Sequence, residues 1–246
     1  FSRLSNSIIK ETDLIISTTF KLATSNLHPT PAPTEAERLS IIAVGGYGRE
    51  EMAPFSDIDI LFLTPYKTTP WTENVIESML YILWDLKLQI GHATRSIDEC
   101  ILLGGKDFTI RTSLLETRPI CGDKNLGDEL TTRLWNELFQ TSTTEFITAK
   151  LKERATRHKK HGENRYLLEP NIKEGKGGLR DLQSLFWIAK YIHHVEKPVE
   201  LIQKGVFNDQ EYTKFVNASN FLWQVRCHLH FINNKASEQL NFDSQF

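Results

Sequence analysis

The sequence predicts an α+β protein, a small sheet-based core followed by a helical domain. Three observations predict it. Residues 41–63, IIAVGGYGREEMAPFSDIDILFL, read as two apolar, β-branched runs joined by a glycine turn and a short irregular or helical segment. Apolar residues at helical spacing flank these runs on both sides. From about Asp123 onward the pattern is almost wholly helical.

Taken in order, residues 1–26 read as an amphipathic helix with Leu4, Ile8, Ile15 and Leu22 among its apolar positions. Pro29, Pro31 and Pro33 make residues 27–36 a rigid, extended connector. The first strand ends at Gly45-Gly46, and a second strand opens on Asp57 and Asp59. Pro65–Pro70 is a loop. Glu73 to Lys87 is a helix whose buried stripe is Val75, Ile76, Met79, Leu80, Leu83 and Trp84. Leu88–Arg95 reads as a third strand, and Ser96 with Glu99 forms a capping box that opens the next helix. Residues 107–116 continue helical, Arg118–Cys121 is extended, and Gly122-Asp123 is a turn. Leu126–Phe139 and Thr144–His161 are two helices. The basic run of the second (Lys150, Lys152, Arg154, Arg157, Lys159, Lys160) is of the kind that usually forms a solvated face. A glycine loop (Gly175, Gly177, Gly178) leads into a further apolar helix from Leu179, with Leu182, Leu185, Phe186, Ile188, Ala189 and Ile192. The expected division is an N-terminal helix and connector (1–37), a sheet core (38–122) and a helical domain (123–246).

Composition narrows the function classes. With 246 residues, 40% hydrophobic and 24% charged, the chain can bury an ordinary core. A net charge of −2 offers no global attraction to nucleic acid or to anionic membrane. No apolar run approaches the roughly 20 residues of a membrane span, and residues 1–26 carry charges at Lys10, Glu11, Asp13 and Lys21 that do not suit a signal peptide. Cys100, Cys121 and Cys227 are few, odd in number and far apart, which favours a reducing, cytoplasmic compartment over a disulfide framework or a zinc site. The chain starts without Met and stops abruptly, as part of something longer would. Three histidine pairs (His158 and His161, His193 and His194, His228 and His230) have no third ligand beside them and point to no metal role.

The chemistry concentrates at two places. Asp57 and Asp59 are two positions apart, so on a strand they share a face with Cα atoms roughly 6–7 Å apart. Two like charges this close call for a cation between them, and Mg²⁺, which takes carboxylate and phosphate oxygens, is the natural occupant. The preceding Gly45 and Gly46 let backbone N–H groups approach an anion, and a helix starting near Tyr47 would add favourable potential. A phosphate cradle followed by a carboxylate pair suits a nucleoside triphosphate with Mg²⁺. The second place is 169–183, EPNIKEGKGGLRDLQ, where Lys173, Lys176 and Arg180 bring positive charge to a helix N-terminus. That is either a second anion-binding corner or a glycine-rich turn with surface lysines.

The first stretch resembles the active-site signature of the DNA polymerase β-like nucleotidyltransferases. More narrowly, Val44–Arg49 through Pro54–Leu63 is similar to the bacterial bifunctional PII uridylyltransferase/uridylyl-removing family. The 169–183 stretch resembles the same family, as do Leu83–Leu88 with Gly91, His92 and Arg95, and Phe221–Trp223 through Arg226 to Phe242–Gln245. A pattern related to 169–183 also occurs in glutamine synthetase adenylyltransferase. The resemblance implies a small mixed sheet with a helical bundle, and transfer of UMP from UTP to a tyrosine of the PII protein with release of pyrophosphate. It implies Asp57 and Asp59 as catalytic metal ligands for Mg²⁺. It implies nucleotide or phosphate contacts from Gly45, Gly46, Arg49, Ser56, Lys173, Gly177, Gly178, Arg180 and Asp181. Partners would be UTP and PII, with no nucleic acid and no membrane. The family also has a His-Asp phosphohydrolase and regulatory domains downstream. This sequence has no His-Asp dipeptide, so the stretch is expected to add the nucleotide and not to remove it.

Three departures qualify the resemblance. Glu50 stands where the family has glycine, in Gly48-Arg49-Glu50-Glu51-Met52. Lys176 stands where it has proline. The superfamily's third carboxylate has no counterpart on Leu88–Arg95, which holds Gln89 and His92; Asp85, Glu116 and Asp181 are the substitutes. Two rival functions follow: an adenylyltransferase acting on glutamine synthetase or another protein, and a catalytically weak nucleotide-binding regulatory module.

Overall fold

The computed structural model describes residues 2–161 and 168–245. Residue 1 of the expected N-terminal helix lies outside the described residues. The chain forms two compact units: Leu4–Met52 with Ser56–Thr141, and the residues up to Arg3 and Ala53–Phe55 with the chain from Ser142 onward.

The first unit is built on a four-stranded sheet of order β3-β2-β1-β4, with β1 Ser40–Ala43, β2 Ile58–Thr64, β3 Ile90–Ser96 and β4 Arg118–Gly122. β1 pairs antiparallel with β2 and β4. β2 and β3 run parallel, which requires the crossover made by α3 (Pro70–Asp85). The sheet is therefore mixed. β1 is buried along its whole length, as a strand covered on both faces must be. One face carries Ile41, Ala43, Ile58, Ile60 and Phe62, which pack with Val75, Met79 and Leu83 of α3 and with Ile9 and Ile16 of α1 (Ser2–Leu22). The other face receives α6 (Lys124–Arg133). Its Gly127 lies so close that a Cβ there would sit 3.3 Å from Pro119 and 3.5 Å from Ile42. α4 (Ile97–Lys106) and α5 (Phe108–Leu114) complete the unit, opened by the Ser96–Glu99 capping box and by Asp107.

The buried stripe of α1 is Ser5, Ile9, Thr12, Ile16, Thr19 and then Ala23, a regular alternation of four and three residues. It includes three small hydroxyl residues that a reading of apolar positions passes over. Leu22, expected inside, is 41% exposed. Likewise Trp84 on α3 is 44% exposed, while Thr72 takes a buried place. α3 ends where Lys87 turns left-handed (φ +62) and Leu88 N–H donates to the Leu83 carbonyl, so the third strand begins at Ile90 rather than Leu88.

The helical stretch 124–139 is α6 continued by wider π turns over Leu134–Phe139. It buries Leu126, Leu130, Leu134, Leu138 and Phe139 within the sheet unit. The boundary between units thus falls at Thr141/Ser142, beyond the 122/123 division that the change of periodicity suggests. Helical pattern marks secondary structure, not which core a helix covers.

The second unit contains α7 (Thr143–Lys160), α8 (Leu179–His193), the one-turn α9 (Glu200–Gln203) and α10 (Asp209–Asn233). Phe146 of α7 stacks on Tyr191 of α8 at 4.2 Å between ring centroids. The basic run of α7 is not one solvated face. Lys150 is buried, pairs with Glu153 at 2.6 Å and lies 5.1 Å from the Trp187 ring centroid. Arg157 is buried as well. On α8, Leu185 and Ile192 are exposed, and Gln183 and Ser184 are buried in their stead. Among the described residues no helix is long and apolar enough to cross a membrane.

Candidate active site

The glycine turn is one helical turn, α2 (Gly45–Gly48), between β1 and β2. Gly45 adopts φ +59, a left-handed conformation natural to glycine. The turn is closed by Gly48 N–H to the Val44 carbonyl (3.1 Å), Arg49 N–H to Gly45 (3.0 Å) and Glu51 N–H to Gly46 (2.9 Å). Val44 N–H donates to the Asp59 carbonyl at 3.1 Å, which ties the turn to the carboxylate strand.

The two aspartates are placed differently. Asp59 is the second residue of β2, whereas Asp57 is exposed and precedes the strand, whose pairing begins with Ile58 N–H to the Gln89 carbonyl at 2.9 Å. Both oxygens of Asp59 rest against glycines. A Cβ on Gly45 would lie 3.3 Å from Oδ2, and one on Gly91, its register partner on β3, would lie 2.4 Å from Oδ1. Any side chain at Gly91 would displace the carboxylate. Gly91 escaped assignment at the sequence level, although a glycine inside a strand signals a close approach.

α1 clamps the turn from behind. Tyr47 is fully buried and its hydroxyl donates to Asp13 Oδ1 at 2.5 Å. Burial and the Asp13 carboxylate hold the phenol well above its ordinary pKa, so it remains a donor. Arg118 of β4 grips the same carboxylate with two nitrogens at 2.8 and 3.0 Å. Ser5 Oγ accepts from Met52 N–H (3.0 Å) and donates to the Glu50 carbonyl (3.2 Å). Glu50 sits at φ +61. The family's glycine at this position therefore has a physical reason, and the glutamate bears a strain of about 1–2 kcal/mol.

Arg49 directs its guanidinium at two carboxylates, Glu51 (2.8 Å) and Glu116. Burial opposes its charge, but Glu116 and Glu51 outweigh that and raise its pKa. Of the three substitutes for a third carboxylate, Glu116 is the one at the turn. It is buried on Arg49, and its carbonyl lies where a Gly48 Cβ would clash. Asp85 is exposed at the last residue of α3.

Asp181 belongs to the helical unit and to a different network. Its carboxylate contacts Arg157, His158 (3.0 Å) and Arg154 (3.3 Å) of α7, and accepts the Gly177 N–H at 2.8 Å. Burial pushes its pKa up, yet Gly177, His158 and Arg157 more than reverse this and hold it below the ordinary carboxylate value. The glycine loop around it is internally hydrogen-bonded. Gly178, Leu179, Arg180 and Asp181 N–H groups donate to the carbonyls of Gly175, Ile172, Lys173 and Gly178 at 2.9–3.0 Å. Asn171 Oδ1 accepts from Lys173 and Glu174. The N–H groups of Lys173, Glu174, Gly175, Gly177, Gly178 and Leu179 are thus taken up within the chain, which leaves the anion affinity of this corner mainly to its positive side chains. Arg180 bonds Gln183 (3.0 Å) and Glu174 (3.2 Å). Lys173 lies 3.8 Å from Glu238, with its pKa lowered by burial and by Arg226. Lys176, at the proline position, is exposed at the tip.

Sequence-predicted residues fall into two sets. Gly45, Gly46, Arg49 and Asp59 meet in the sheet unit, with Ser56 and Asp57 leading into β2. Lys173, Gly177, Gly178, Arg180 and Asp181 meet in the helical unit. Two hard carboxylates beside a glycine turn fit Mg²⁺, which uses one or two carboxylates and fills its other positions from water and phosphate. Among the described residues no group of three His, Cys, Asp or Glu side chains is placed to hold a metal.

Comparison with known proteins agrees with this division. Residues 33–121 match the family model described as a nucleotidyltransferase domain, and residues 145–246 match the one described as GlnD PII-uridylyltransferase. The unit boundary lies between the two matches. Bifunctional uridylyltransferase/uridylyl-removing enzymes of Ruegeria pomeroyi, Cereibacter sphaeroides and Bradyrhizobium diazoefficiens are 57%, 55% and 53% identical over 95% of this chain. The match covers 26%, 25% and 25% of those proteins, so the chain spans about a quarter of the length of these curated relatives. By sequence, the chain is similar to one quarter-length stretch of the bifunctional uridylyltransferase/uridylyl-removing enzymes, with a nucleotidyltransferase domain over residues 33–121.

Proposed function

We propose that this chain transfers UMP from UTP to a tyrosine hydroxyl of the PII nitrogen-signalling protein in the cytoplasm and releases pyrophosphate. The observation that carries the reading is the seating of Asp59. Both its oxygens are backed by glycines, and its backbone is bonded to the turn that would receive the phosphates. Asp57 and Asp59 would hold Mg²⁺. The metal, when bound, neutralises charge on the phosphates and on the leaving pyrophosphate.

The chain's own residues orient the rest. The leading N–H groups of the α2 turn have no partner within the turn, so Gly45 and Gly46 are the donors for the β- and γ-phosphates. Ser56 borders the metal pair. Arg49 holds the turn through Glu51 and Glu116. In the helical unit, Lys173 and Arg180, with Gly177, Gly178 and Asp181 shaping their loop, form a positive corner suited to phosphate. Tyr47, Asp13 and Arg118 keep the turn rigid, and preorganisation of this kind is where most of the rate enhancement in phosphoryl transfer arises.

The test is replacement of both aspartates, Asp57→Asn with Asp59→Asn. Pyrophosphate release with Mg²⁺, UTP and purified PII is expected to fall by at least about 10³-fold with the thermal midpoint unchanged. Retained release would overturn the reading. ATP in place of UTP separates it from an adenylyltransferase. One observation favours a second reading, a nucleotide-binding module without turnover: β3 offers Gly91 beside Asp59 and no acid. UTP binding without pyrophosphate release would select it.

A further inference from the structure

The helical unit holds one histidine in an unusual setting. His230 of α10 is completely buried. Its Nδ1 accepts the backbone N–H of Phe55 at 3.3 Å, and the two rings lie 6.2 Å apart between centroids. A backbone amide can only donate, so Nδ1 carries no proton and the ring is the Nε2–H tautomer. Nε2 is buried without a hydrogen-bond partner and faces Glu238 Oε1 at 3.8 Å, beyond hydrogen-bond range. Glu238 is itself held by Arg226 at 2.9 Å, with Lys173 at 3.8 Å. Arg226 lies over the Trp223 ring, and the Glu238 carbonyl accepts from Ile172 N–H at 2.9 Å. The ring is therefore fixed in one tautomer and one orientation.

Phe55 belongs to Ala53–Phe55, the segment that the chain contributes to the helical unit in passing from the glycine turn to β2. Two residues later comes Asp57, which precedes the strand and so lacks the ladder that fixes Asp59. We propose that His230 is a positioning residue for the proposed metal pair: by accepting the Phe55 amide it fixes the backbone from which Asp57 projects. This rests on the reading of Asp57 and Asp59 as metal ligands. The same bond gives the buried histidine a purpose that metal binding does not.

Three variants separate positioning from packing. Asn keeps an acceptor near the Nδ1 position, Gln places its polar atoms near Nε2, and Leu has neither. Two readouts are taken on the whole chain: amide hydrogen exchange at Phe55, and Mn²⁺ affinity as a probe of the carboxylate pair. The Phe55 amide is expected to be protected in the parent chain and in His230→Asn, and to exchange faster in His230→Leu and His230→Gln. Mn²⁺ affinity is expected to fall roughly tenfold in the latter two and to stay near the parent value in His230→Asn. An unprotected Phe55 amide in the parent chain overturns the proposal. So does equal metal affinity in all four proteins, or equal loss in all three variants, which marks a packing role. Failure of the underlying reading looks different: Asp57→Asn with Asp59→Asn would leave Mn²⁺ binding unchanged, or the parent would bind none, while Phe55 remained protected.

Discussion

At the scale of single residues, the site is shaped as much by absent side chains as by present ones. Gly91 and Gly45 leave room for the two oxygens of Asp59, and a methyl group at Gly91 would stand 2.4 Å from Oδ1. Asp59 would have to rotate, while the strand itself tolerates alanine. Gly91→Ala is therefore expected to lower Mg²⁺-dependent nucleotidyl transfer by roughly tenfold or more with a change of about 1 kcal/mol or less in stability. Steady-state kinetics beside a thermal melt would check the split, and a variant with unchanged turnover would remove the steric argument. The spacing of Asp57 and Asp59 placed both on one strand, but only Asp59 lies on β2. The glycine opposite was not legible in the sequence, because its partner is set by the β2–β3 register rather than by proximity in sequence. Glu50 shows the reverse case. A departure from the family pattern acquires meaning only from its φ of +61.

At the scale of elements, α1 and α7 both act through their polar faces. α1 reaches the glycine turn with Ser5 and Asp13. α7 grips Asp181 at the start of α8 with Arg154, Arg157 and His158. Asp181 and Glu238 both have pKa values below the ordinary carboxylate range. Glu238 is drawn from 4.5 to about 2 by the facing His230 ring and, against its burial, by Arg226 and Lys173. Folded values below the unfolded ones mean stabilisation that is complete above the unfolded pKa and lost as pH falls through the folded one. The helical unit is thus expected to lose stability between about pH 4.5 and 2. Glu238→Gln should flatten that limb in melts followed across the range, and an unchanged limb would show that Glu238 contributes nothing to it. The Ser96–Glu99 capping box was readable from local sequence. The networks were not, since Asp13 with Arg118 and Arg226 with Glu238 meet only after the chain has folded.

At the scale of the molecule, the sheet unit extends to Thr141 because α6 and the π turns after it bury their leucines there. A chain cut after residue 122 would uncover the face of Ile42, Leu61 and Leu63. At about 1.5–3 kcal/mol for each large apolar side chain returned to water, these three alone would cost about 4.5–9 kcal/mol, comparable to a typical domain's whole stability of about 5–15 kcal/mol. It is expected not to fold, whereas a chain cut after residue 141 is expected to unfold cooperatively. Thermal melts by circular dichroism would distinguish the two, and a cooperative transition in the shorter chain would refute the assignment of α6 to the sheet unit.

Sequence alone was enough for the α+β class, the strand–glycine turn–strand order and the likeness to nucleotidyltransferases, because each is written in short-range periodicity or contiguous motifs. Tertiary structure decided the sheet register that sets Gly91 against Asp59, the burial of Arg49 on Glu116, the internal bonding of the 171–178 loop, and the partnership of His230 with Phe55. Each of these joins groups distant in the chain, and which distant groups meet depends on how whole elements share buried surface, a property no local window of residues contains.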